Sequence, residues 1–564
     1  MSVSLNADID CGIGQWVKKV DRYTGEEYTG LISPSEALIE TYRSGGKSKS
    51  CQFHFRERLN EITSEKRIRI EALQQEAREQ FAALGPDLKY CVLLTGATGF
   101  IGKEFLLQAA ANLQIETVYC LIRPQTKIQN GTGETLIITP RERGKALLEA
   151  LEIGQPCVRK LHFITGDVEQ EGLGISESDY EKLGECITHV VHAAANVSLD
   201  EPFSKAFKSN VEASRHAMAI SLRFQREFRS RFISHIAIET AYVYGRNCGE
   251  VAREDEPSFP HDFYNNTYEF SKALSARQAT ETLLGEGLRL IQIRPSIVVG
   301  HSDTGNNFGD AKAINAPIRF FAWLAYELNS TRLMGSFRKQ IRAWLFRILF
   351  AHFPGHLKGA INLVTVDRVV NGIVASLSKP EAVGQPIHLA AAESVDISMF
   401  FEIGQREMGI SVWRIEPSVF RNIMLPIFEL MIRIFELMIR SKESSGTMRL
   451  LRNVNKMKSM YANYCDLGQI VFDLNNDQRI LGLPKNNAKI EKILTMICRH
   501  NRYAHLWNRN TDLAETMRRE RVWANVIAQI EKETGSDAAV LSPEEFARRL
   551  ICYVDLHSFR YLDD

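Results

Sequence analysis

The stretch that most constrains this 564-residue chain is Val92-Leu-Leu-Thr-Gly-Ala-Thr-Gly-Phe-Ile-Gly102. An apolar run meets glycines at 96, 99 and 102 and passes directly into the helix-forming KEFLLQAAANL. Glycines at such a bend permit a tight turn and a close backbone approach, so that a pyrophosphate can rest on the free N–H groups opening the helix. The segment therefore predicts a strand, a phosphate-binding turn and a helix, with Thr95, Gly96, Thr98, Gly99, Phe100, Ile101 and Gly102 against a dinucleotide. Such a unit needs a parallel sheet around it, because a strand that feeds a crossover helix pairs with a strand running the same way.

The rest of the chain supplies one. Short apolar runs alternate with helical stretches, and strands are expected at Tyr90 to Thr95, Thr117 to Ile122, Leu161 to Thr165, His189 to Ala193, Arg231 to His235 and Leu288 to Ile293. Two later runs, Ile361 to Val366 and Pro386 to Ala390, are expected in a substrate-side subdomain interleaved with the sheet. The expected architecture is α/β, a Rossmann-type doubly wound parallel sheet over 87–395 with a mostly helical C-terminal domain over 396–564. Residues 1–86 read as an N-terminal extension whose helical period, Leu59, Ile62, Ile70, Leu73, Ala77 and Phe81, ends at Gly85-Pro86. That helix is expected to pack or to meet a partner, without chemistry of its own.

Three further signals bear on the reaction. The second strand closes on Arg123, about twenty residues past the last glycine, where a carboxylate would hold the 2′-hydroxyl of NAD and an arginine offers a fork to the 2′-phosphate of NADPH. Asp167-Val168 follows the third strand, where the carboxylate can accept from an adenine amino group. Tyr268-Glu-Phe-Ser-Lys272 places a phenol and an ammonium four residues apart on one helical face, where the positive charge is expected to lower the tyrosine pKa and make it a proton donor to a carbonyl oxygen. Thr240, at the end of the fifth strand, supplies a hydroxyl to orient that oxygen. Asn210, opening a helix after the fourth strand, can anchor a water-linked relay to the lysine.

The three glycines, Asp167, HAAANVS at 192–198, Asn210, Thr240, Tyr268, Lys272 and IRPSIV at 293–298 together resemble the extended short-chain dehydrogenase/reductases, and within them the fatty acyl-CoA reductases and related thioester-reductase domains. The resemblance covers about 89–395 and continues more weakly to about 505, through LLRNVNKMKSMYANY and QIVFDLNNDQRIL. It implies NADPH-dependent reduction of a long-chain acyl-CoA thioester to a primary alcohol through an aldehyde. It further implies cofactor contacts at Ala193 as well as at the residues above, with Thr240, Tyr268, Lys272 and Asn210 as the catalytic set. The sequence departs from the family at Glu239, where serine commonly stands before the threonine. Readings left open are an enzyme that stops at the aldehyde or acts on carrier-protein thioesters, an epimerase or sterol dehydrogenase, and a cofactor-binding scaffold that docks on membranes without turnover.

Composition narrows the partners. With 69 Lys+Arg against 68 Asp+Glu the formal charge is +1, which gives no global case for nucleic acid. The ten cysteines show no C-x-x-C pair and read as reduced thiols, no metal-ligand spacing is visible, and no secretory signal precedes the first domain, so a cytoplasmic location is expected. Two segments suggest a peripheral membrane contact. Between Leu328 and Val366 there are six basic residues and no acidic one, interleaved with Trp344, Phe346 and Phe350. The tandem IFELMIR at 427–440 confines its charges to a sector of about 60° on a helix, so the helix is expected to be almost wholly buried, by protein, by an acyl chain or by lipid. Chain-length preference and oligomeric state are not encoded in any of these features.

Overall fold

The computed structural model describes residues 16–20, 27–31, 49–128, 135–154, 157–199, 201–229, 231–245, 251–254, 264, 266–310, 312–332, 352–355, 359–438, 470–486, 489–504 and 512–562. Seven strands form the central sheet: β1 (Tyr90–Thr95), β2 (Ile115–Ile122), β3 (Leu161–Thr165), β4 (His189–His192), β5 (Ser234–Ile238), β6 (Leu290–Pro295) and β7 (Pro386–Leu389). Their spatial order is β7-β6-β5-β4-β1-β2-β3, every pair parallel. Helices cover both faces, and β1, β4, β5, β6 and β7 are buried at every position. That double burial explains why these strands read as continuous apolar runs rather than alternating ones.

The same property shifts two expected strands. The run around Arg231–His235 pairs as Ser234–Ile238, and Leu288–Ile293 as Leu290–Pro295; a strand buried on both faces has no period to mark its ends. Pro386 to Ala390 is not in a separate subdomain: it is β7, the edge of the main sheet, where a proline at the first position breaks no ladder bond. Ile361 to Val366 is split into Ala360–Ile361 and Leu363–Thr365, the latter pairing with Ile297–Val299 beyond β6.

Ten helices matter here: α1 (Lys49–Leu84), α2 (Phe100–Ala111), α3 (Pro140–Leu151), α4 (Thr267–Glu281), α5 (Asn315–Arg332), α6 (Val366–Ser376), α7 (Ile397–Met408), α8 (Leu425–Met438), α9 (Ile490–Tyr503) and α10 (Leu513–Thr534). The last turns of α1 are part of the sheet's own core. Ile70, Leu73 and Ala77 are buried in the same cluster as the strands, and Gln74 Nε2 donates to the carbonyls of Glu381 and Val383 at 3.0 and 2.9 Å.

The C-terminal region is woven into the sheet domain at several points. Val251–Ala252 pairs with Val471–Phe472, and His352–Pro354 with Trp413–Ile415. The buried Glu254 carboxylate accepts from the backbone N–H of His388 at 2.7 Å and of Asn476 at 2.9 Å, joining β7 to the following helical segment. Helix α10 lies against α3, with Arg521 reaching the Ala150 carbonyl at 3.1 Å. A small core of its own gathers around Trp523, Phe546 and Phe559.

The two segments expected to meet a membrane fare differently. Residues 333–351, with Trp344, Phe346 and Phe350, and the repeat beyond Met438 lie outside the described residues. In the described part of the repeat, Phe428 is buried but Ile427 is 46% and Leu430 58% exposed, so there the protein itself covers only part of the helix's apolar surface. Among the described residues, no helix is long and apolar enough to cross a membrane.

Candidate active site

The order of strands reverses between β1 and β4, and the connections from those two strands leave on opposite faces of the sheet. The crevice at their carboxyl ends is where ligands sit in open α/β folds. Gly96 follows β1 with φ +78°, and a Cβ there would lie 2.7 Å from the Ala193 carbonyl carbon just past β4. At Gly102, in the first turn of α2, a Cβ would lie 2.2 Å from the Gly96 carbonyl oxygen. The loop therefore closes only with glycine at both places. It leaves the N-terminus of the twelve-residue helix α2 open towards the crevice, as a pyrophosphate requires.

A cavity of about 500 Å³ begins at this loop. Ten of the residues expected from sequence line it: Gly96, Thr98, Gly99, Phe100, Ile101, Gly102, Ala193, Thr240, Tyr268 and Lys272. The other five stand behind or beside it. Thr95 Oγ1 is 2.9 Å from His192 Nδ1 and accepts from the Ala194 N–H at 3.2 Å, locking β1 to the segment after β4. Asp167 Oδ1 accepts from the Glu169 N–H at 3.1 Å, and the Val168 carbonyl lies 3.1 Å from His216 Nδ1. Arg123 is exposed at the end of β2, and its carbonyl accepts from Arg143 at 2.5 Å.

Arg143 is a residue that sequence reasoning missed. It lies in the first turn of α3, whose start is set by Thr139 and Glu142 capping each other. Burial and the neighbouring Arg123 charge both lower its pKa, so two guanidinium groups stand together at the end of β2. Only the packing of α3 against the sheet brings them together. The capping box announces the helix but not its direction.

Asn210 sits in a π-turn, Phe207–Glu212, and its amide is engaged on three sides. Its oxygen accepts from the Asn196 N–H at 2.7 Å, and its nitrogen donates to the Asn196 carbonyl at 3.0 Å and to Ser271 Oγ at 2.9 Å. It clamps the HAAANVS segment to α4 and makes no direct bond to Lys272, so it acts here as a positioning residue.

Helix α4 is capped by Asn266, whose side chain accepts from the Glu269 N–H at 2.9 Å, which sets Tyr268 in its first turn and Lys272 one turn on. The Lys272 ammonium donates to the Ile238 carbonyl at 2.7 Å. Burial brings its pKa down to about 8, opposed by the Glu239 carboxylate. For Tyr268 the expected lowering is not found: burial and the nearby Glu269 carboxylate push the phenol up. Desolvation of a phenolate outweighs an ammonium that is already turned to a carbonyl. The phenol is thus a firmly protonated donor.

Glu239, the departure from the resembled pattern, lines the cavity beneath Lys272 with its side chain 1% exposed. Its charge is answered by Arg294 at 3.1 Å and by Gln292 Nε2 at 3.1 Å, a buried pair that lies between the lysine and β6. Thr240 is buried next to it; its hydroxyl accepts from the Tyr242 N–H at 3.3 Å.

The far wall comes from Ser296 of the IRPSIV segment and from a loop with no recognisable motif. Ser296 and Asn307 are buried cavity-lining residues, and Ser296 Oγ and Asn307 Nδ2 have no partner among the described residues. The loop that carries Asn307 is pinned by Lys103 to the Phe308 carbonyl (3.2 Å), Arg319 to that of Gly309 (3.1 Å) and Trp523 to that of Thr304 (2.7 Å). Beyond it the cavity turns apolar, against Ile314, Phe353, Ile361, Ile397, Phe400 and Phe401. The glycine cradle and the unpartnered Ser296 hydroxyl fit a nicotinamide dinucleotide, with the pyrophosphate on α2 and a polar carboxamide at Ser296.

Comparison with known proteins agrees with this geometry. A family model described as "Male sterility protein" matches residues 94–373. Fatty acyl-CoA reductase 1 of Gallus gallus is 30% identical over 233 residues, 37% of this chain and 43% of that protein. The adenylate-forming reductase Nps9 of Serpula lacrymans is 28% identical over 210 residues, 36% of this chain and 18% of that one. The chain thus spans less than half the length of these curated relatives. In structure, the terminal R domain of the myxalamid PKS-NRPS pathway superposes with a TM-score of 0.53 at 20% identity, over 74% of this chain and 91% of that one, which shows the shared fold. Residues 94–373 thus form a domain that matches the male sterility protein family model, is similar in sequence to fatty acyl-CoA reductase 1 and an adenylate-forming reductase, and has the Rossmann-type fold shared with the R domain.

Proposed function

We propose that this protein reduces long-chain fatty acyl-CoA thioesters with NADPH to primary alcohols, through an aldehyde and without a covalent enzyme intermediate. The observation that carries this reading is a single cavity running from the glycine loop, past Tyr268 and Thr240, into an aromatic and aliphatic end. A polar nucleotide enters at one end and a hydrocarbon is favoured at the other, with the proton donor between them.

A bound NADPH supplies hydride to the thioester carbonyl. The chain's own residues do the rest. Tyr268 donates its phenolic proton to the developing oxyanion, Thr240 orients that oxygen, and the Lys272 ammonium holds the cofactor ribose and supports the phenolate that remains. The hemithioacetal so formed would return its hydroxyl proton to the Tyr268 phenolate as it expels CoA thiolate, and the aldehyde left in the same pocket would take the proton of Tyr268 again on its reduction to the alcohol. Among the described residues that line the cavity there is no cysteine, which is consistent with direct reduction. Arg123 and Arg143 are the pair assigned to the 2′-phosphate, which makes NADPH the preferred cofactor.

We assign the protein to the cytoplasm with peripheral membrane attachment. The acid-free stretch re-enters the described structure at His352–Pro354, hydrogen-bonded beside Trp413–Ile415. Trp413, Ile423, Ile427 and Leu430 are 68%, 53%, 46% and 58% exposed on that side. Exposed apolar residues, together with a chain segment rich in basic side chains and free of acidic ones, suit an anionic lipid surface, the source of a long-chain substrate.

The experiment is purified protein with octanoyl- to octadecanoyl-CoA and NADPH, followed by gas-chromatographic product identification. Alcohol is expected. Aldehyde as the sole product moves the reading to an aldehyde-forming reductase, and no NADPH oxidation with any thioester overturns it.

A further inference from the structure

Phe400 and Phe401, on α7, each face two cavities. On one side they close the apolar end of the active-site cavity. On the other they line a separate space of about 20 Å³, partly open to the surface and bordered by Ile318, Phe321, Met408, Ile410, Val412 and Cys498. The two rings stand nearly perpendicular, 86° apart with centroids at 5.9 Å, and Phe401 also leans on Phe353 at 5.5 Å. They form a partition one ring thick between two apolar spaces. A void of that size admits one water-sized group, yet its lining offers no set of free polar atoms to hold a water. The side-chain oxygen of Gln405, a polar residue in that lining, is taken by the Val412 N–H at 2.8 Å.

Gly404 lies on the same helix, one turn past the partition, and lines the second void. Glycine inside a helix destabilises it relative to alanine and is usually kept where a side chain would clash. Here a Cβ would meet nothing within 4 Å. Packing therefore does not explain this glycine, but a space kept open beside it does.

We infer that Phe400 and Phe401 are a gate through which the terminal carbons of a long acyl chain pass from the active-site cavity into the void beside Gly404, so that this glycine sets the upper chain length. The inference rests on the acyl-CoA reading above and names the residues that would determine its specificity. Rotation of either ring joins the two spaces, and Met408 and Cys498 at the far end offer soft, adaptable walls to a methyl terminus.

The test is binding of octanoyl-, dodecanoyl- and hexadecanoyl-CoA by calorimetry without NADPH, so that it does not depend on turnover. Gly404→Leu fills the void while removing a helix-weakening residue. It is expected to weaken hexadecanoyl-CoA about fourfold, the equivalent of about one methylene withdrawn from apolar surroundings, and to leave octanoyl-CoA unchanged. Phe401→Ala is expected to shift the preference towards longer chains. An unchanged ratio of hexadecanoyl to octanoyl affinity in Gly404→Leu overturns the gate and leaves the void a packing defect. Length-selective binding that Gly404→Leu abolishes, without NADPH oxidation by the wild type, keeps the gate and overturns the reductase reading instead.

Discussion

At Tyr268 burial and the nearby Glu269 carboxylate act in the same direction on the phenol. Burial keeps the phenol protonated, and the lysine four residues on is itself desolvated to a pKa of about 8. Tyr268→Phe is expected to lower kcat by about 10²- to 10⁴-fold, the range for a lost general acid, while the NADPH dissociation constant measured by fluorescence stays within about twofold. Lys272 is charged below about pH 8 and neutral above it, so cofactor affinity is expected to fall as pH rises through that value. A fluorescence titration between pH 6.5 and 9.5 reads the midpoint; affinity that is flat across this window assigns the cofactor ribose to other groups. The arginine pair gives a third expectation. Arg143→Ala, like Arg123→Ala, should raise the Michaelis constant for NADPH by about tenfold or more and leave that for NADH unchanged, because a charge-assisted contact to phosphate contributes on the order of 1.5–3 kcal/mol. Equal effects on both cofactors would make Arg143 structural. Arg123 was legible in the sequence from its distance past the glycines. Arg143 was not, because its role depends on how a helix twenty residues later lies across a strand end.

Among the elements, the turn from β1 into α2 is the least tolerant. Gly102→Ala would drive a methyl to 2.2 Å from the Gly96 carbonyl oxygen, a backbone atom that cannot rotate away. The helix start must then shift, at a cost of about 1–3 kcal/mol by analogy with overpacked cores, and its N–H groups move off the pyrophosphate. Loss of cofactor binding is expected with a melting temperature only a few degrees lower; retained binding would show that α2 can slide without penalty. The neighbouring strands were predictable in number and kind because burial on both faces makes them apolar throughout, and for the same reason their ends were not. Pro386–Leu389 shows the complementary limit: its sequence reads as a strand, but the choice between a separate subdomain and the sheet edge was made by pairing with β6.

In the whole molecule the C-terminal helices complete the apolar end of a cavity whose other end is the glycine loop of the sheet domain. Trp523, more than two hundred residues from the loop it supports, holds the Thr304 carbonyl, and α7 supplies the aromatic end wall. The exposed face around Trp413 and α8 leads to the remaining expectation, that the protein floats with anionic vesicles at low salt and is released by high salt. Each basic residue near such a surface contributes on the order of 1 kcal/mol, so the six between 328 and 366 suffice for reversible attachment. Equal flotation with neutral vesicles would assign the attachment to apolar insertion alone, and no flotation with either ends the membrane reading.

Local chemistry by itself determined the fold class, the nucleotide loop and the Tyr268/Lys272 pair. Glycine spacing, burial-driven apolarity and helical period act over a few residues and survive in any tertiary setting. Tertiary structure alone decided the pairing of Arg143 with Arg123, the ion pair that makes Glu239 tolerable beneath Lys272, the unpartnered Ser296 and the wall of Phe400 and Phe401. Each of these depends on contacts between segments twenty to more than two hundred residues apart. Such contacts are set by how helices lie on the sheet, and no periodicity or spacing along the chain records that.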